Sequence, residues 1–195
     1  MATKRIAIIG GGNVGSALAT GLKRAGCEVK LVGRDAAATR AAAAWGEATC
    51  LAVPFGAIDD AVRAIGGGAD GKPLVDVTNA LDASMNLALG FTTSGAEELQ
   101  RKVPKAHVVK AFNTVFAQHM STGRLGDQSL TTFVAGDDAA AKASVLELAR
   151  AIGFDAVDAG PLRNARLIEP LAYLNIQLGY VQKMGPQIGF KLLRG

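Results

Sequence analysis

The sequence predicts a doubly wound α/β fold, with a mostly parallel sheet and helices on both of its faces. Strand-like and helix-like patterns alternate along most of the 195 residues. Most strand-like runs are largely apolar, as in strands that are buried on both faces. The first run, Arg5–Ile9, ends in glycines and leads directly into a helical pattern over Val14–Arg24. These three observations together favour a wound sheet over a bundle or a sandwich.

In the first half of the chain, the elements have clear stop signals. Gly26 follows the first helix and Pro54 follows the third strand, and each residue type ends such an element. The run Gly66-Gly67-Gly68 ends the third helix, whereas the second helix is predicted from its alanine content. The expected elements are, in order, Arg5–Ile9, Val14–Arg24, Cys27–Val32, Ala36–Ala44, Thr49–Val53, Ile58–Ile65 and Pro73–Val77.

The second half of the chain contains longer connections. Asn79–Gly95 and Ser121–Gln128 lack periodicity and are expected to be loops. Asp137 or Asp138 is the expected N-cap of the helix that follows, because a carboxylate there accepts from unpaired N–H groups. The other elements are three strands, two helices and a helical turn, expected at Ala96–Lys102, His107–Phe112, Val115–Met120, Leu130–Ala135, Asp137–Ile152 and Phe154–Asp158.

The composition of the chain limits the kinds of ligand or partner that we expect it to bind. The net charge of +4 is compatible with an anionic ligand or with an ordinary solvated surface. The chain has no dense Lys/Arg stripe with interleaved aromatics and no apolar run of about 18 residues, so we expect neither nucleic-acid nor membrane binding. Cys27 and Cys50 have no metal-ligand spacing and are expected to be small buried hydrophobes. We therefore expect no metal site and a cytoplasmic location.

The loop Gly10-Gly11-Gly12-Asn13-Val14-Gly15 has the spacing of a dinucleotide-binding turn, and it lies between a strand and a helix as that function requires. Gly10 would permit the tight turn, Gly12 would let a pyrophosphate approach the backbone, and Gly15 would let the helix pack on the strand. The positive end of the helix dipole would face the phosphates. The loop makes the predicted fold Rossmann-like, although a glycine-rich turn without a ligand is the alternative.

The end of the second strand indicates which dinucleotide binds. NAD-specific folds place an acidic residue there, whereas this chain has Gly33 and Arg34, and a guanidinium can bind a 2′-phosphate. This favours NADP(H), although Asp35 would repel a phosphate and a solvated Arg34 is the alternative. Only about 15 residues separate Arg34 from the third strand, too few for the usual additional strand and helix. We expect that edge strand to be missing and the adenine side to be open.

Several later segments resemble one family. They are Val32-Gly33-Arg34, Ala52-Val53-Pro54-Phe55, Asp76-Val77-Thr78-Asn79, Val109-Lys110-Ala111-Phe112-Asn113-Thr114 and Asp158-Ala159-Gly160-Pro161-Leu162. With the glycine loop, they resemble the NADPH-dependent F420 reductase family, also called NADP oxidoreductase, coenzyme F420-dependent, and the cytoplasmic domain of STEAP metalloreductases. The resemblance covers essentially the whole chain. It implies hydride transfer between NADP(H) and a flavin-like acceptor, with F420, FMN and FAD as candidates.

The resemblance also implies roles for individual residues. Gly12, Asn13 and Val14 would hold the pyrophosphate, and Gly33 and Arg34 would hold the 2′-phosphate. The rest of the implied cofactor site consists of Val53, Pro54 and Phe55 along the cofactor, Asn79, Asn113 and Thr114 near the nicotinamide, and Gly160 and Pro161 at the far wall. Relatives that reduce the deazaflavin carry Ser–Arg and His–Thr pairs where this chain has Gly33-Arg34 and Asn113-Thr114. The Asn–Thr pair at Asn113-Thr114 resembles that of the metalloreductase branch.

No catalytic acid or base is expected, because hydride transfer depends mainly on how cofactor and acceptor are positioned. His107 and His119 have no carboxylate nearby in the sequence. Asp76 lies in a buried strand and is expected to bind loop backbone, whereas Lys110 is either structural or close to the cofactor. An NADP(H)-binding module or sensor without turnover is the alternative function.

We expect residues 1–160 to form the NADP-binding domain and residues 161–195 to form a helical extension packed on it as a single unit. The stretch Leu162–Leu193 is expected to be mostly helical, with a break at Gly185-Pro186. It is apolar on all sides, so it either crosses the core or packs against a partner. We expect a homodimer with the acceptor site near the junction.

Overall fold

The computed structural model describes residues 4–195 and contains a seven-stranded sheet with the strand order β2-β1-β3-β4-β5-β8-β9. Its strands are buried for the most part, as their apolar sequences predict. In chain order, the strands are β1 (Arg5–Ile9), β2 (Glu28–Val32), β3 (Ala48–Leu51), β4 (Pro73–Asp76), β5 (His107–Lys110), a small hairpin of β6 (Arg124–Leu125) and β7 (Gln128–Ser129), β8 (Thr131–Gly136) and β9 (Asp155–Asp158).

Helices cover both faces of the sheet, and the predicted doubly wound α/β fold is confirmed. The helices are α1 (Asn13–Arg24), α2 (Ala36–Trp45), α3 (Ile58–Ile65), α4 (Gly95–Lys102), α5 (Ala117–Met120), α6 (Ala139–Ile152) and α7 (Ala165–Ile176). One apolar core is shared by α1, α5 and α6, and the other by α2, α3, α4 and the start of α7. Within residues 4–195, none of these helices has the length and apolar character needed to cross a membrane.

Strand direction determines where ligands can meet the sheet. Strands β1 to β5 are parallel, so their carboxyl ends share one edge, which we call the carboxyl edge. Strand β8 is antiparallel to β5, and β9 is parallel to β8, so both point the other way. Within the described residues β2 is an outer strand, which confirms that the usual edge strand beyond it is missing.

One expectation about the second half of the chain is wrong, and another is confirmed only in part. The stretch predicted as the loop Ser121–Gln128 contains most of the β6–β7 hairpin. The stretch predicted as mostly helical, Leu162–Leu193, is helical as far as Val181, through a 3-10 turn at Leu162–Asn164, α7 and a five-residue π-helical turn. The helix therefore ends before the break expected at Gly185-Pro186. Beyond it, the backbone bonds to the sheet instead, since Thr131 N donates to Phe190 O over 2.9 Å.

Candidate cofactor and acceptor site

The glycine loop has a geometry that only glycine permits at two of its positions. Gly10 has a φ of +114°, and a Cβ there would lie 2.1 Å from the carbonyl oxygen of Ala52. A Cβ on Gly15 would lie 1.9 Å from the carbonyl oxygen of Gly10. By contrast, a Cβ on Gly12 would meet no atom within 4 Å, so the space beside it is open. The first two glycines close the turn, and Gly12 leaves its outer side free for a ligand.

Helix α1 begins immediately after this turn without a side-chain cap. Gly12 is the N-cap residue in an extended conformation, and the first turn contains no acidic side chain. Lys23 and Arg24 lie in the last turn, where they complement the negative end of the helix. The positive end of α1 and its backbone N–H groups therefore face the open space beside Gly12. This geometry fits the pyrophosphate of a dinucleotide.

A cavity of about 760 Å³ extends from this turn along the carboxyl edge of the sheet. Seven of the residues expected at the cofactor site line it, namely Gly12, Asn13, Val14, Val53, Pro54, Phe55 and Asn79. The residues that follow β4 form another wall that the sequence did not indicate, and it includes Leu81, Asp82, Ala83, Met85 and Ala88. The volume lies within the range of about 300–1,000 Å³ found for small-molecule sites.

A smaller pocket of about 250 Å³ adjoins this cavity. The two share four lining residues, which are Asn13, Val14, Asn79 and Met85. The far side of the smaller pocket contains Phe116 and Tyr180, whose rings lie 5.3 Å apart in an edge-to-face arrangement. A Cβ on Gly179 would lie 2.8 Å from the Phe116 ring, so glycine is needed in the π-helical turn that presents Tyr180. No pattern in the sequence indicated this aromatic pair.

Unpaired buried oxygen atoms lie at and beside the boundary between the two spaces. The side-chain nitrogen of Asn113 donates to the side-chain oxygen of Asn79 over 3.3 Å. Asn113 Oδ1, Thr114 Oγ1 and Thr78 Oγ1 are buried and have no hydrogen-bond partner among the described residues. Since a buried polar atom without a partner is costly, Asn113 Oδ1 fits a site for a polar ligand group such as the carboxamide of a nicotinamide.

The residues expected at the 2′-phosphate lie beside the glycine loop. Gly33 and Arg34 follow β2, whose last residue, Val32, accepts a hydrogen bond from Gly10 N over 2.9 Å. Both are exposed, and Arg34 makes no ion pair or hydrogen bond with the rest of the described chain. Asp35 is the N-cap of α2, and its carboxylate accepts from Ala38 N over 2.9 Å. That hydrogen bond gives Asp35 a structural role at the helix start.

Three expected site residues lie elsewhere. Gly160 and Pro161 follow β9, and Gly136 N, at the far end of β8, donates to Gly160 O over 3.1 Å. Because β8 is antiparallel to β5, this places both residues at the opposite edge of the sheet from the glycine loop. They are therefore not part of the candidate site. Thr114 is buried behind the smaller pocket, and its carbonyl oxygen accepts from Asn175 Nδ2 over 3.2 Å.

An ionic cluster is fully buried beneath the carboxyl edge. Lys110 Nζ contacts Asp76 Oδ2 at 2.9 Å, Glu169 Oε1 at 3.1 Å and the carbonyl oxygen of Thr78 at 2.7 Å. Burial alone would lower the pKa of Lys110, but the charges of Asp76 and Glu169 outweigh it and raise the pKa above its usual value. Asp76 also accepts a hydrogen bond from Thr78 N over 2.9 Å, which confirms the expectation that Asp76 binds loop backbone.

The remaining titratable side chains singled out from the sequence lie outside the cavities. His119 Nε2 lies 2.9 Å from the carbonyl oxygen of Pro186, and His107 Nδ1 lies 3.7 Å from Asp138. Burial raises the pKa of Cys50 to about 12, with a further contribution from Cys27, so Cys50 is held as a neutral thiol. Residues 4–195 contain no group of three His, Cys, Asp or Glu side chains arranged to hold a metal ion.

Comparison with known proteins assigns the chain to a family. Residues 5–80 match the sequence profile described as NADP oxidoreductase, coenzyme F420-dependent. The chain also superimposes on a crystal structure from Arthrobacter sp. FB24, of a protein assigned as an F420-dependent NADP reductase. The TM-score is 0.88 and the identity 33%, over 98% of this chain and 100% of the other. The chain belongs to the coenzyme F420-dependent NADP oxidoreductase family. Its family is thus one of NADP-dependent oxidoreductases, and the resemblance drawn from its sequence segments is confirmed.

Metalloreductases form a second group of relatives. STEAP3 of Rattus norvegicus is 39% identical over 101 residues, which are 52% of this chain and 20% of that protein. STEAP2 of Homo sapiens is 35% identical over 101 residues. The chain thus spans about a fifth of the length of these relatives. A reductive aminase from Aspergillus terreus, in complex with NADPH, shares the fold with a TM-score of 0.65 and 18% identity, over 93% of this chain and 63% of the aminase.

Proposed function

We propose that this protein transfers a hydride between NADP(H) and a flavin-like acceptor, either a flavin such as FMN or FAD or the deazaflavin F420. The observation that carries the proposal is the junction of the two cavities. The space at the glycine loop fits a dinucleotide, and it opens past Asn79 and Asn113 into a pocket with an aromatic wall. A nicotinamide at that junction and a ring in the smaller pocket would lie next to each other, as hydride transfer requires.

The proposed roles of the residues follow from their positions. The backbone at Gly12 and Asn13 would hold the pyrophosphate, and Arg34 would hold the 2′-phosphate. The amide groups of Asn79 and Asn113 would orient the nicotinamide ring. NADPH supplies the chemistry when it is bound, by giving up a hydride from the nicotinamide. The chain itself contributes position and the exclusion of water, with no acid or base required among its side chains.

The lining of the smaller pocket favours an uncharged planar ring as its occupant. Its lining residues include no Lys, Arg, His, Asp or Glu. It offers apolar groups, the aromatic rings of Phe116 and Tyr180, and the side-chain amides of Asn113, Gln118 and Asn175. Such a lining suits the ring system of a flavin or deazaflavin, with stacking from the aromatic residues and polar contacts from the amides. Any charged tail of the acceptor would therefore extend outside this pocket.

One observation favours the alternative, an NADP(H)-binding module or sensor without turnover. The smaller pocket, at about 250 Å³, lies below the usual range for ligand sites. The deciding experiment follows the oxidation of NADPH with F420, FMN, FAD and ferric chelates in turn. Turnover with a flavin or F420 is the expected result. Oxidation by ferric chelates alone would replace the flavin-like acceptor with a metal substrate, and binding of NADPH without any turnover would favour the sensor.

We also propose that the protein is a homodimer. Large apolar side chains are exposed on α7 and just after it, including Leu167, Leu174, Tyr180, Val181 and Met184. This surface is continuous with the smaller pocket through Tyr180, so a second copy packed there would cover the acceptor site. Light scattering should give the mass of a dimer, and Leu174→Glu should shift it towards the monomer. A monomer mass at every concentration would contradict the proposal.

The cysteines support a cytoplasmic location as a further part of the proposal. Cys27 and Cys50 are both free thiols. Burial raises the pKa of Cys27, as it does for Cys50, despite the opposing charge of Lys4. Two free thiols fit a reducing compartment. Fractionation of cells that express the protein, with the activity assayed in each fraction, tests this location.

A further inference from the structure

The buried ionic cluster of Lys110, Asp76 and Glu169 makes a further contact that the proposed hydride transfer does not use. Glu169, on α7, accepts hydrogen bonds from Gly95 N over 2.8 Å and from Ala96 N over 3.1 Å. These are the first two residues of α4, so the carboxylate caps a helix that belongs to another part of the chain. The same side chain contacts Lys110, and it is only 1% exposed. Glu169 therefore joins α7, α4 and β5 through one buried charge.

The contacts of the cluster lie at both ends of the segment formed by residues 79–94, which we call the 79–94 loop. Lys110 donates to the carbonyl oxygen of Thr78, one residue before the loop begins. Glu169 accepts from Gly95 N, one residue after the loop ends. The loop contributes Asn79 and Met85 to both cavities. One buried ion pair thus fixes the two ends of a segment that forms a wall of the cofactor cavity.

Apart from the hydrogen bond that Asn79, its first residue, accepts from Asn113, the contacts of the 79–94 loop are local and mostly exposed, so its position depends on its ends. The carboxylate of Asp82 accepts from Ser84 N over 2.8 Å and from Asn86 N over 2.9 Å. Met85 N donates to the carbonyl oxygen of Asp82 over 3.0 Å. These bonds shape the tip of the loop, but they do not attach it to the sheet. Segments with few buried apolar contacts open easily unless their ends are held.

We propose that Lys110 and Glu169 are positioning residues, which hold the 79–94 loop against the cofactor cavity by linking its two ends through a buried ion pair. The charges are essential to this role. The three protons of the Lys110 ammonium meet three acceptors, and Glu169 receives the N–H groups at the positive end of α4. An amide at position 169 would direct its N–H₂ group towards another donor. The effect on the cofactor rests on the proposed function, whereas the effect on the loop does not.

A second ion pair between the same helices supplies a matched control. Arg166, on α7, donates to both carboxylate oxygens of Glu97 on α4, over 2.7 and 2.8 Å. This pair is partly exposed and has no contact with Thr78 or Gly95. Arg166→Gln removes a link between α7 and α4 but keeps Glu97, which still accepts from Ser94 Oγ at the end of the loop over 2.8 Å. Glu169→Gln removes the link that includes both ends.

The experiment compares wild type, Glu169→Gln and Arg166→Gln by amide hydrogen exchange without ligand, at the amide of Ala88, which donates to the carbonyl oxygen of the buried Ala80 over 2.8 Å. We expect exchange to be about tenfold faster in Glu169→Gln, since a lost charged hydrogen bond opens the loop, and unchanged within about twofold in Arg166→Gln. Equal acceleration in both variants, or none in Glu169→Gln, would overturn the proposal, because the pair would then be a general helix contact.

A second variant at position 169 and a titration with NADPH complete the experiment. If Glu169→Gln does not fold, Glu169→Asp replaces it, because the shorter carboxylate keeps the charge but cannot reach both Lys110 and α4. Faster exchange at the loop than at β5 supports the proposal, and wild-type exchange contradicts it. Titration with NADPH then tests the function separately, with about fivefold weaker binding expected in the position-169 variant that folds. Faster loop exchange in a protein that never binds NADPH would uphold the positioning role and refute the cofactor site.

Discussion

The side-chain nitrogen of Asn113 lies 3.3 Å from the side-chain oxygen of Asn79 and donates a hydrogen bond across the carboxyl edge of the sheet. The bond joins the segments that follow β4 and β5, at the point where the two cavities meet. Phe112, which precedes Asn113, has a φ of +66°, a strained value for a side chain of this size. The buried ring of Phe112 packs against Phe154, and this packing holds the turn that leads to Asn113.

Replacing Asn113 with Leu should reduce turnover more than stability. Leucine preserves the volume but removes the donor to Asn79 and the unpaired oxygen. We expect the free energy of unfolding to change by no more than about 1 kcal/mol, because loss of the bond is offset by loss of the orphan atom. We expect kcat with NADPH and the identified acceptor to fall about tenfold. Asn86→Ala, on the exposed loop tip, is the control, and an unchanged kcat in Asn113→Leu would contradict the assigned role.

Arg34→Ala should weaken the binding of NADPH much more than that of NADH. A lost charge-assisted contact to the 2′-phosphate costs roughly 1.5–3 kcal/mol, which corresponds to about a 10- to 150-fold change in Kd. Fluorescence titration with both nucleotides measures the difference. Arg150→Ala removes another exposed positive charge, on α6, and should leave both Kd values unchanged. A similar loss for NADPH and NADH would refute the phosphate contact.

Alanine substitutions in the glycine loop should affect stability at Gly10 and NADPH binding at Gly12. Gly10→Ala would place a Cβ against the carbonyl of Ala52 at a positive φ, so we expect a cost of about 1–3 kcal/mol or more in stability. Gly12→Ala meets no protein atom, so it should fold normally and bind NADPH at least tenfold more weakly, roughly the loss of one charged contact. Thermal melts and NADPH titrations distinguish the two. Gly11→Ala is the control for Gly12, and normal NADPH binding by Gly12→Ala would be evidence against the pyrophosphate site.

Tyr180→Ala should raise the KM for the acceptor without changing the Kd for NADPH. Tyr180 lines only the smaller pocket, where its ring is the exposed half of the aromatic pair. Loss of a stacking contact costs about 0.5–1.5 kcal/mol, so we expect KM to rise up to about tenfold. Leu193→Ala, which removes an exposed apolar side chain outside both cavities and outside the proposed dimer surface, is the control. The assignment fails if NADPH binding falls as much as acceptor binding does.

Lys110→Met should strongly destabilise the protein, by about 3–5 kcal/mol near neutral pH, because two buried carboxylates lose their cation. The charged partners raise the folded-state pKa of Lys110, so its contribution is complete below the usual lysine pKa of about 10.5. It is lost as the pH rises through the raised value. The difference between wild type and Lys110→Met in denaturant unfolding should therefore narrow at strongly alkaline pH. Lys105→Met, at an exposed position, should cost less than about 1 kcal/mol, and a difference that widens with pH would contradict this linkage.

The sequence predicts the glycine-loop half of the site because its signals are local. The turn at Gly10 depends on adjacent residues, and the missing edge strand follows from the short distance between Arg34 and the third strand. Parallel strands then bring the segments after β3, β4 and β5 to one edge, so Phe55, Asn79 and Asn113 meet as expected. None of these inferences requires knowledge of contacts between distant parts of the chain.

The misplacement of Gly160 and Pro161 has a different cause. Their position depends on the direction of β8, and no pattern within a strand shows whether it runs parallel or antiparallel to its neighbour. The connection from β5 to β8 holds only the four-residue helix α5 and a hairpin, whereas a parallel return needs a full crossover. Glu169 was also missed, although a single acid inside the apolar run Leu167–Ala172 indicates a buried partner. That partner, Lys110, lies far away in the sequence.

The outer position of β2 has a consequence for how cofactor preference could change during evolution. No strand of the described chain lies beyond β2, on the side of Arg34, so the purine of a bound dinucleotide would lie largely in solvent. Discrimination would then depend on a single guanidinium rather than on a shaped pocket. We expect purine-modified nucleotides to be accepted almost as well as NADPH. A substitution at position 34 alone could therefore change the preference from NADPH to NADH in descendants of this protein, with no change in the hydrophobic core.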